Sequence, residues 1–204
     1  MKKIAVYCGS STGSLAIYRQ QAAQLGRYLA EMDMHLVFGG GKVGMMGILA
    51  DAALQAGGKV TGVIPGFLHI DEVAHPGLTE LITVETMHER KALIEQMCDA
   101  AIALPGGFGT LDELFEMLTW GQLGLHDKPV GILNTNGFYD QILAAVDRMV
   151  EEGFLKDLNR DMLLVSEHVE ELLEIIKDYS PPLVRKWIMD GDPDKDIPFK
   201  GAQP

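Results

Sequence analysis

The chain has 204 residues, enough for one doubly wound domain with a full core and too few for two domains of typical size. Apolar residues make up 47% and charged residues 23%, which argues against a disordered chain, and no run approaches the roughly 20 apolar residues of a spanning helix. A formal charge of −12 disfavours nucleic acid and anionic membranes as partners, so a bound anion must be held by local donors, which points to a small-molecule ligand.

Met1-Lys2-Lys3 is followed by the apolar run Ile4 to Cys8, too short for a signal-peptide core and ending in Gly-Ser turn residues, so a cytoplasmic protein is expected. Short β-branched runs then alternate with segments of helical period, the pattern of βαβ units and of a parallel sheet. Strands are expected at Ile4 to Cys8, His35 to Phe38, Val60 to Ile64, Glu80 to Val84, Ala100 to Leu104, Val130 to Asn134 and Met162 to Val165. Helices are expected near Ser14 to Met32, Gly44 to Ala56, Met87 to Met97, Leu111 to Leu123, Phe138 to Glu152 and Val169 to Lys177. The fold class is therefore α/β, a doubly wound parallel sheet of about seven strands with helices on both faces. Residues 1–178 form one domain, and 179–204 read as a Pro/Asp-rich tail in which Leu183 to Met189 fits one short helix. Cys8 and Cys98 fall within a strand and a helix and read as buried, reduced thiols. His69, Asp71, Glu72 and His75 share the long loop after Pro65 without a fixed ligand spacing; they read as polar loop residues, and no metal site is expected.

Loops that follow strands gather at the carboxyl edge of an open α/β sheet, where ligands bind. Four carry unusual residues. Cys8-Gly9-Ser10-Ser11-Thr12-Gly13 offers backbone and hydroxyl donors to an anion, Ser10 among them. Gly39-Gly40-Gly41-Lys42-Val43-Gly44 formally satisfies G-x-G-x-x-G, but it follows the second strand rather than the first, and no acidic residue ends the next strand. Close helix-to-sheet packing explains its glycines as well as phosphate contact does. Met87-His88-Glu89-Arg90-Lys91 opens a helix after the fourth strand. Pro105-Gly106-Gly107-Phe108-Gly109-Thr110 sets three glycines directly before a helix, so unblocked N–H groups and the positive dipole end converge in a phosphate cradle. The Gly-Lys-Ser/Thr ending of a triphosphate loop is absent.

Thr110-Leu111-Asp112-Glu113 fits a capping box, with Thr110 as cap and Glu113 folded back. An alternative stays open. Leu111, Leu114, Phe115 and Leu118 make one apolar stripe while Glu113 shares another face with Met117 and Trp120, so the helix is buried on two sides and Glu113 sits in a partly dry crevice as a base or as a counter-charge. Arg90 and Lys91 flank an inward stripe of Met87, Ile94 and Cys98, and half-buried cations need anionic partners. Either a carboxylate such as Glu113 or a ligand phosphate meets that need.

Met87-His88-Glu89-Arg90-Lys91 followed by Pro105-Gly106-Gly107-Phe108-Gly109-Thr110-Leu111-Asp112-Glu113 resembles the paired signature of the LONELY GUY family, cytokinin riboside 5′-monophosphate phosphoribohydrolases, many of which carry the label "lysine decarboxylase". The likeness runs from Ile4 to about Glu174; Met45, Phe108 and Asp112 stand where the family more often has leucine, tyrosine and glutamate. The resemblance implies a homodimeric Rossmann-like fold and hydrolysis of an N6-modified adenosine monophosphate, or of AMP itself, to free base and ribose 5-phosphate, with no cofactor. It implies Arg90 and Glu113 as the catalytic pair, Lys91 beside them, Gly107 to Thr110 at the phosphate and Thr119 near the ligand; the glycine-rich and hydroxyl-rich loops add Ser10, Gly40, Gly41 and Gly106 as expected binding residues. Two rivals differ in class: a molybdenum-cofactor carrier with the same fold and a similar glycine loop, and a pyridoxal-phosphate lysine decarboxylase, whose cofactor surroundings nothing here resembles.

Overall fold

A computed structural model describes residues 1–68 and 73–182. The strands are β1 (Lys3–Tyr7), β2 (His35–Phe38), β3 (Val60–Pro65), β4 (Glu80–Val84), β5 (Ala100–Ala103), β6 (Val130–Leu133) and β7 (Leu163–Ser166). Between them run α1 (Ala16–Glu31), α2 (Gly44–Gln55), α3 (Met87–Met97), α4 (Phe108–Gln122), α5 (Asp140–Glu151), the one-turn α6 (Asp157–Arg160) and α7 (Val169–Asp178). All seven strands pair in parallel, in the order β4-β3-β2-β1-β5-β6-β7. The expected strand number and parallel pairing are thus observed; α6 was not expected, and the expected Leu183 to Met189 helix lies outside the described residues.

Strand alternation sorts the core into two layers. Ile4 and Val6 of β1 face one side, where they pack with Leu25 and Leu29 of α1, Leu49 of α2 and Leu172 of α7. Ala5 and Tyr7 face the other, with Ile94 of α3, and Leu114 and Met117 of α4. Successive strands from β1 to β4 step one way, and β5 then returns to the other side of β1. The loops leaving β1 and β5 therefore part to opposite faces and open a crevice between them, the topological switch point of the sheet.

Cys8 and Cys98 are free and buried, as expected, and burial pushes both thiols up, Cys98 to about 11, so neither ionises at neutral pH. Within the long loop after β3, His75 is engaged rather than open: it meets Asp51 of α2 at 3.1 Å through Nε2, and its Nδ1 accepts from the Gly77 N–H at 3.1 Å. His69, Asp71 and Glu72 lie outside the described residues. Among the described residues no helix is long and apolar enough to cross a membrane.

Candidate active site

Two loops meet at the switch point. The Gly9 N–H donates to the Pro105 carbonyl at 3.1 Å, and a Cβ on Gly106 would overlap the Thr110 hydroxyl and lie 2.9 Å from the Gly9 nitrogen, so glycine is what lets the β5 loop touch the β1 loop. Above them is a cavity of about 260 Å³, with the backbone of 9–13 and 105–107 on one side and Tyr18, Met45 and Phe138 as an apolar wall. Ser10 lines it; the aromatic wall carried no motif in the sequence.

α4 starts earlier than the sequence suggests. Its cap is Gly107, with no side-chain hydrogen bond, and Phe108 is its first residue, which places Thr110 inside the first turn. The first intrahelical bond runs from the Leu111 N–H to the Gly107 carbonyl at 3.1 Å, so the amides before it have no partner within the helix. Side chains added at Gly107 or Gly109 would meet nothing within 4 Å, which leaves room for an anion at this terminus. The expected capping box is not formed there. A related arrangement appears one helix earlier, where the Thr86 hydroxyl caps α3 by accepting from the Glu89 N–H at 3.1 Å and the Glu89 carboxylate accepts from the Glu85 N–H at 2.9 Å. Thr86-Met87-His88-Glu89 has the same spacing as Thr110 to Glu113 and makes the side-chain cap that Thr110 does not.

Freed from capping, Glu113 turns inward and bonds Arg90: Nη1 to Oε1 is 2.7 Å, with 12% and 11% of the two side chains exposed. Arg90 also donates from Nε to the Val63 carbonyl of β3 at 3.1 Å. Burial pushes the Glu113 carboxyl above its ordinary value of 4.5, while the Arg90 charge and hydrogen bond pull the other way. The pair thus holds an ionisable carboxylate and a fixed guanidinium in one partly dry place beneath the switch point.

Other expected residues are placed differently. The buried face of α4 is Thr110, Glu113, Leu114, Met117 and Gly121. Phe115 and Trp120 lie instead on the outer face, in a groove with Phe108, Leu111 and Thr119. The apolar period revealed two faces, but the larger side chains took the outer one because the inner face packs closely against the sheet and Arg90. Thr119 is occupied there, its hydroxyl donating to the Phe115 carbonyl at 2.6 Å. Lys91 reaches Asp112 at 3.1 Å and Glu116 at 2.9 Å, apart from the Arg90–Glu113 bridge. Burial acts against its charge, yet the bonds to Glu116 and Asp112 outweigh that and leave its pKa raised. Gly40 and Gly41 serve packing: Gly40 has φ +75° and faces Leu81 and Ile64, its carbonyl accepts from the His75 N–H, and Gly41 bridges to Ala74. At the N-terminus of α2 the Met45 N–H donates to the Gly9 carbonyl at 3.1 Å, which ties this glycine loop to the β1 loop.

The family described as "Possible lysine decarboxylase" matches residues 46–176. The chain is 43% identical over 196 residues to cytokinin riboside 5′-monophosphate phosphoribohydrolase LOG2 of Arabidopsis thaliana, covering 95% of this chain and 92% of that protein. Against LOG1 of the same plant, of the same description, it is 44% identical over 180 residues, covering 88% and 84%. Among solved structures, the molybdenum cofactor binding protein from the phototrophic bacterium Rippkaea orientalis superposes with a TM-score of 0.66 at 22% identity, covering 87% of this chain and 96% of that one, a likeness of fold alone. With both halves of the motif pair meeting in one site and this identity running through nearly the whole sequence, the chain belongs to the LONELY GUY family, whose older description is that of a lysine decarboxylase.

Proposed function

We propose that this chain hydrolyses the N-glycosidic bond of an N6-modified adenosine 5′-monophosphate, or of AMP itself, to free base and ribose 5-phosphate. One observation carries the reading: a buried carboxylate, Glu113, bonded at 2.7 Å to Arg90, lies one turn inside a helix whose glycine-rich N-terminus is uncapped. Breaking the bond builds positive charge on the ribose and negative charge on the departing base. Glu113 opposes the first and takes a proton from the attacking water, whose hydroxyl joins the anomeric carbon. Arg90 opposes the second until the departing base takes up a proton from solvent; Glu113 returns its own proton to solvent, so water is added across the broken bond and the carboxylate is restored. Amides of the first turn of α4, with Gly106, Gly107 and Ser10, hold the 5′-phosphate, so binding energy remote from the reaction positions the sugar. Lys91 ties α3 to α4 rather than touching ligand, and Thr119 belongs to the outer face.

The experiment is base release, followed by chromatography, from AMP, from isopentenyladenosine monophosphate and from both nucleosides without phosphate. Monophosphates are expected to react and nucleosides to lose at least about a hundredfold in kcat/KM. Equal rates with and without phosphate would remove the cradle, and no release at all would leave a carrier. The acid side of the pH profile is a second check. The ionised carboxylate is the active form, so kcat/KM rises with pH as Glu113 loses its proton, and because burial raises that pKa the rise is centred above 4.5. A rise centred at or below 4.5 contradicts the role given to Glu113.

The chain acts as a homodimer through the outer face of α4. Phe108 is 93% exposed and forms with Leu111 and Phe115 an apolar stripe of helical spacing, flanked by Trp120 in the same groove, that a second copy would cover. At the rim Asp112 and Glu116 both hold Lys91 of their own chain, so one of the two carboxylate charges is offset. The reaction takes place in the cytosol, the compartment that keeps Cys8 and Cys98 reduced.

A further inference from the structure

Arg90 crosses the carboxyl ends of two strands to reach Glu113, and the place where it crosses β2 is the residue just after that strand, Gly39. A Cβ built on Gly39 would overlap the Arg90 Nη2 atom; the next atoms are Arg90 Cζ at 3.2 Å and Met46 Sδ at 3.4 Å. Nothing else lies so near. The backbone does not call for glycine here, because Gly39 is absent from the positive-φ positions, unlike its neighbour Gly40 at +75°. Glycine at 39 is therefore required by the guanidinium and by nothing local.

The other contacts of Arg90 show what that clearance does. Nε is held by the Val63 carbonyl at 3.1 Å and Nη1 by Glu113 at 2.7 Å, so the planar fork is pinned along two of its edges. Its third corner, Nη2, occupies the space a Cβ on Gly39 would take. A methyl group there lifts the plane, and lifting it must loosen the Val63 bond, the Glu113 bond, or both. We propose that Gly39 is a positioning residue: the missing side chain forms the slot that sets the plane of the Arg90 guanidinium against Glu113. The inference rests on the catalytic pair named under Proposed function, and it accounts for the first glycine of a triplet whose other two members pack against Leu81, Met46 and the 73–75 segment.

The test uses four full-length proteins: wild type, Gly39→Ala, Arg90→Lys and the double variant. In the wild-type background Gly39→Ala is expected to lower kcat at least about tenfold, since a sub-ångström misplacement suffices, with KM for the monophosphate within about threefold. It is also expected to lower Tm and to shift the Arg90 Nε–H resonance, assigned by its loss in Arg90→Lys. In the Arg90→Lys background the same alanine leaves Tm unchanged or higher, because the clash is gone and alanine restricts the unfolded chain more than glycine does. An equal fall in Tm in both backgrounds, an unmoved Arg90 resonance, or wild-type kcat in Gly39→Ala overturns the proposal. If Gly39→Ala alone does not fold, the double variant must; failure of both overturns it equally. Should no form of the protein hydrolyse any monophosphate, the functional reading falls, while the Tm comparison and the resonance still decide whether Gly39 seats Arg90.

Discussion

Glu113→Gln is expected to lower kcat for base release at least about a thousandfold while the dissociation constant of the monophosphate stays within about threefold. Glutamine keeps the shape and one acceptor oxygen for Arg90, so a hydrogen bond from the still-charged guanidinium survives while the ion pair does not. What disappears is the negative charge opposite the developing ribose cation and the site that accepts the proton of water. The half of the site proposed to hold the phosphate is untouched, because it is built from backbone at Gly106 to Thr110 and from the 9–13 loop. Single-turnover rates and calorimetric binding of ribose 5-phosphate separate the two effects. A variant that turns over at the normal rate takes the catalytic role from Glu113, and one that loses binding in step with rate makes the residue a structural prop for the cradle.

Trp120→Glu is expected to weaken self-association at least about thirtyfold, the equivalent of ~2 kcal/mol. Trp120 flanks the outer groove of α4 that holds Phe108, Leu111 and Phe115, and a carboxylate in that groove must be buried without a partner if two copies are to meet. Asp112 and Glu116 at the same groove add like charge and give the new carboxylate no relief. Sedimentation velocity over a dilution series reads the change. A wild-type chain that sediments as a monomer at every concentration, or a variant with the wild-type mass, sinks the interface. The Arg90–Glu113 bridge lies on the inner face of the helix, so the variant should keep its fold and its Tm within a few degrees.

The sheet was legible in the sequence because strands such as Ile4 to Tyr7 and Val130 to Leu133 are continuous β-branched or small apolar runs between glycine-rich loops, and both faces of a parallel sheet are buried. The loops were legible for the same reason: glycines cluster where chains touch or ligands approach. Orientation was harder to read. Period analysis showed that α4 has two apolar faces, but which one meets the sheet depends on Arg90 arriving from α3, a partner 23 residues away that no local pattern encodes. Lys91 shows the limit most plainly. One residue from Arg90 and equally charged, it turns to Asp112 and Glu116 because adjacent helical positions are about 100° apart. The role of Gly39 was hidden because an absent side chain has no signature until the group that fills its space is known.

The order of strands also fixes when the site can exist. Ile4 pairs with Ala100, so the central seam of the sheet joins segments about 96 residues apart, and the crevice above it needs the helix that ends at Gln122. On a ribosome making the chain from its N-terminus, β1 to β4 can assemble first, with β1 left as an open edge. Only when β5 emerges is that edge covered and the uncapped terminus of α4 delivered beside Gly9. Nascent chains shorter than that carry no cradle, and closing so long a loop places this fold among the slower folders of its size.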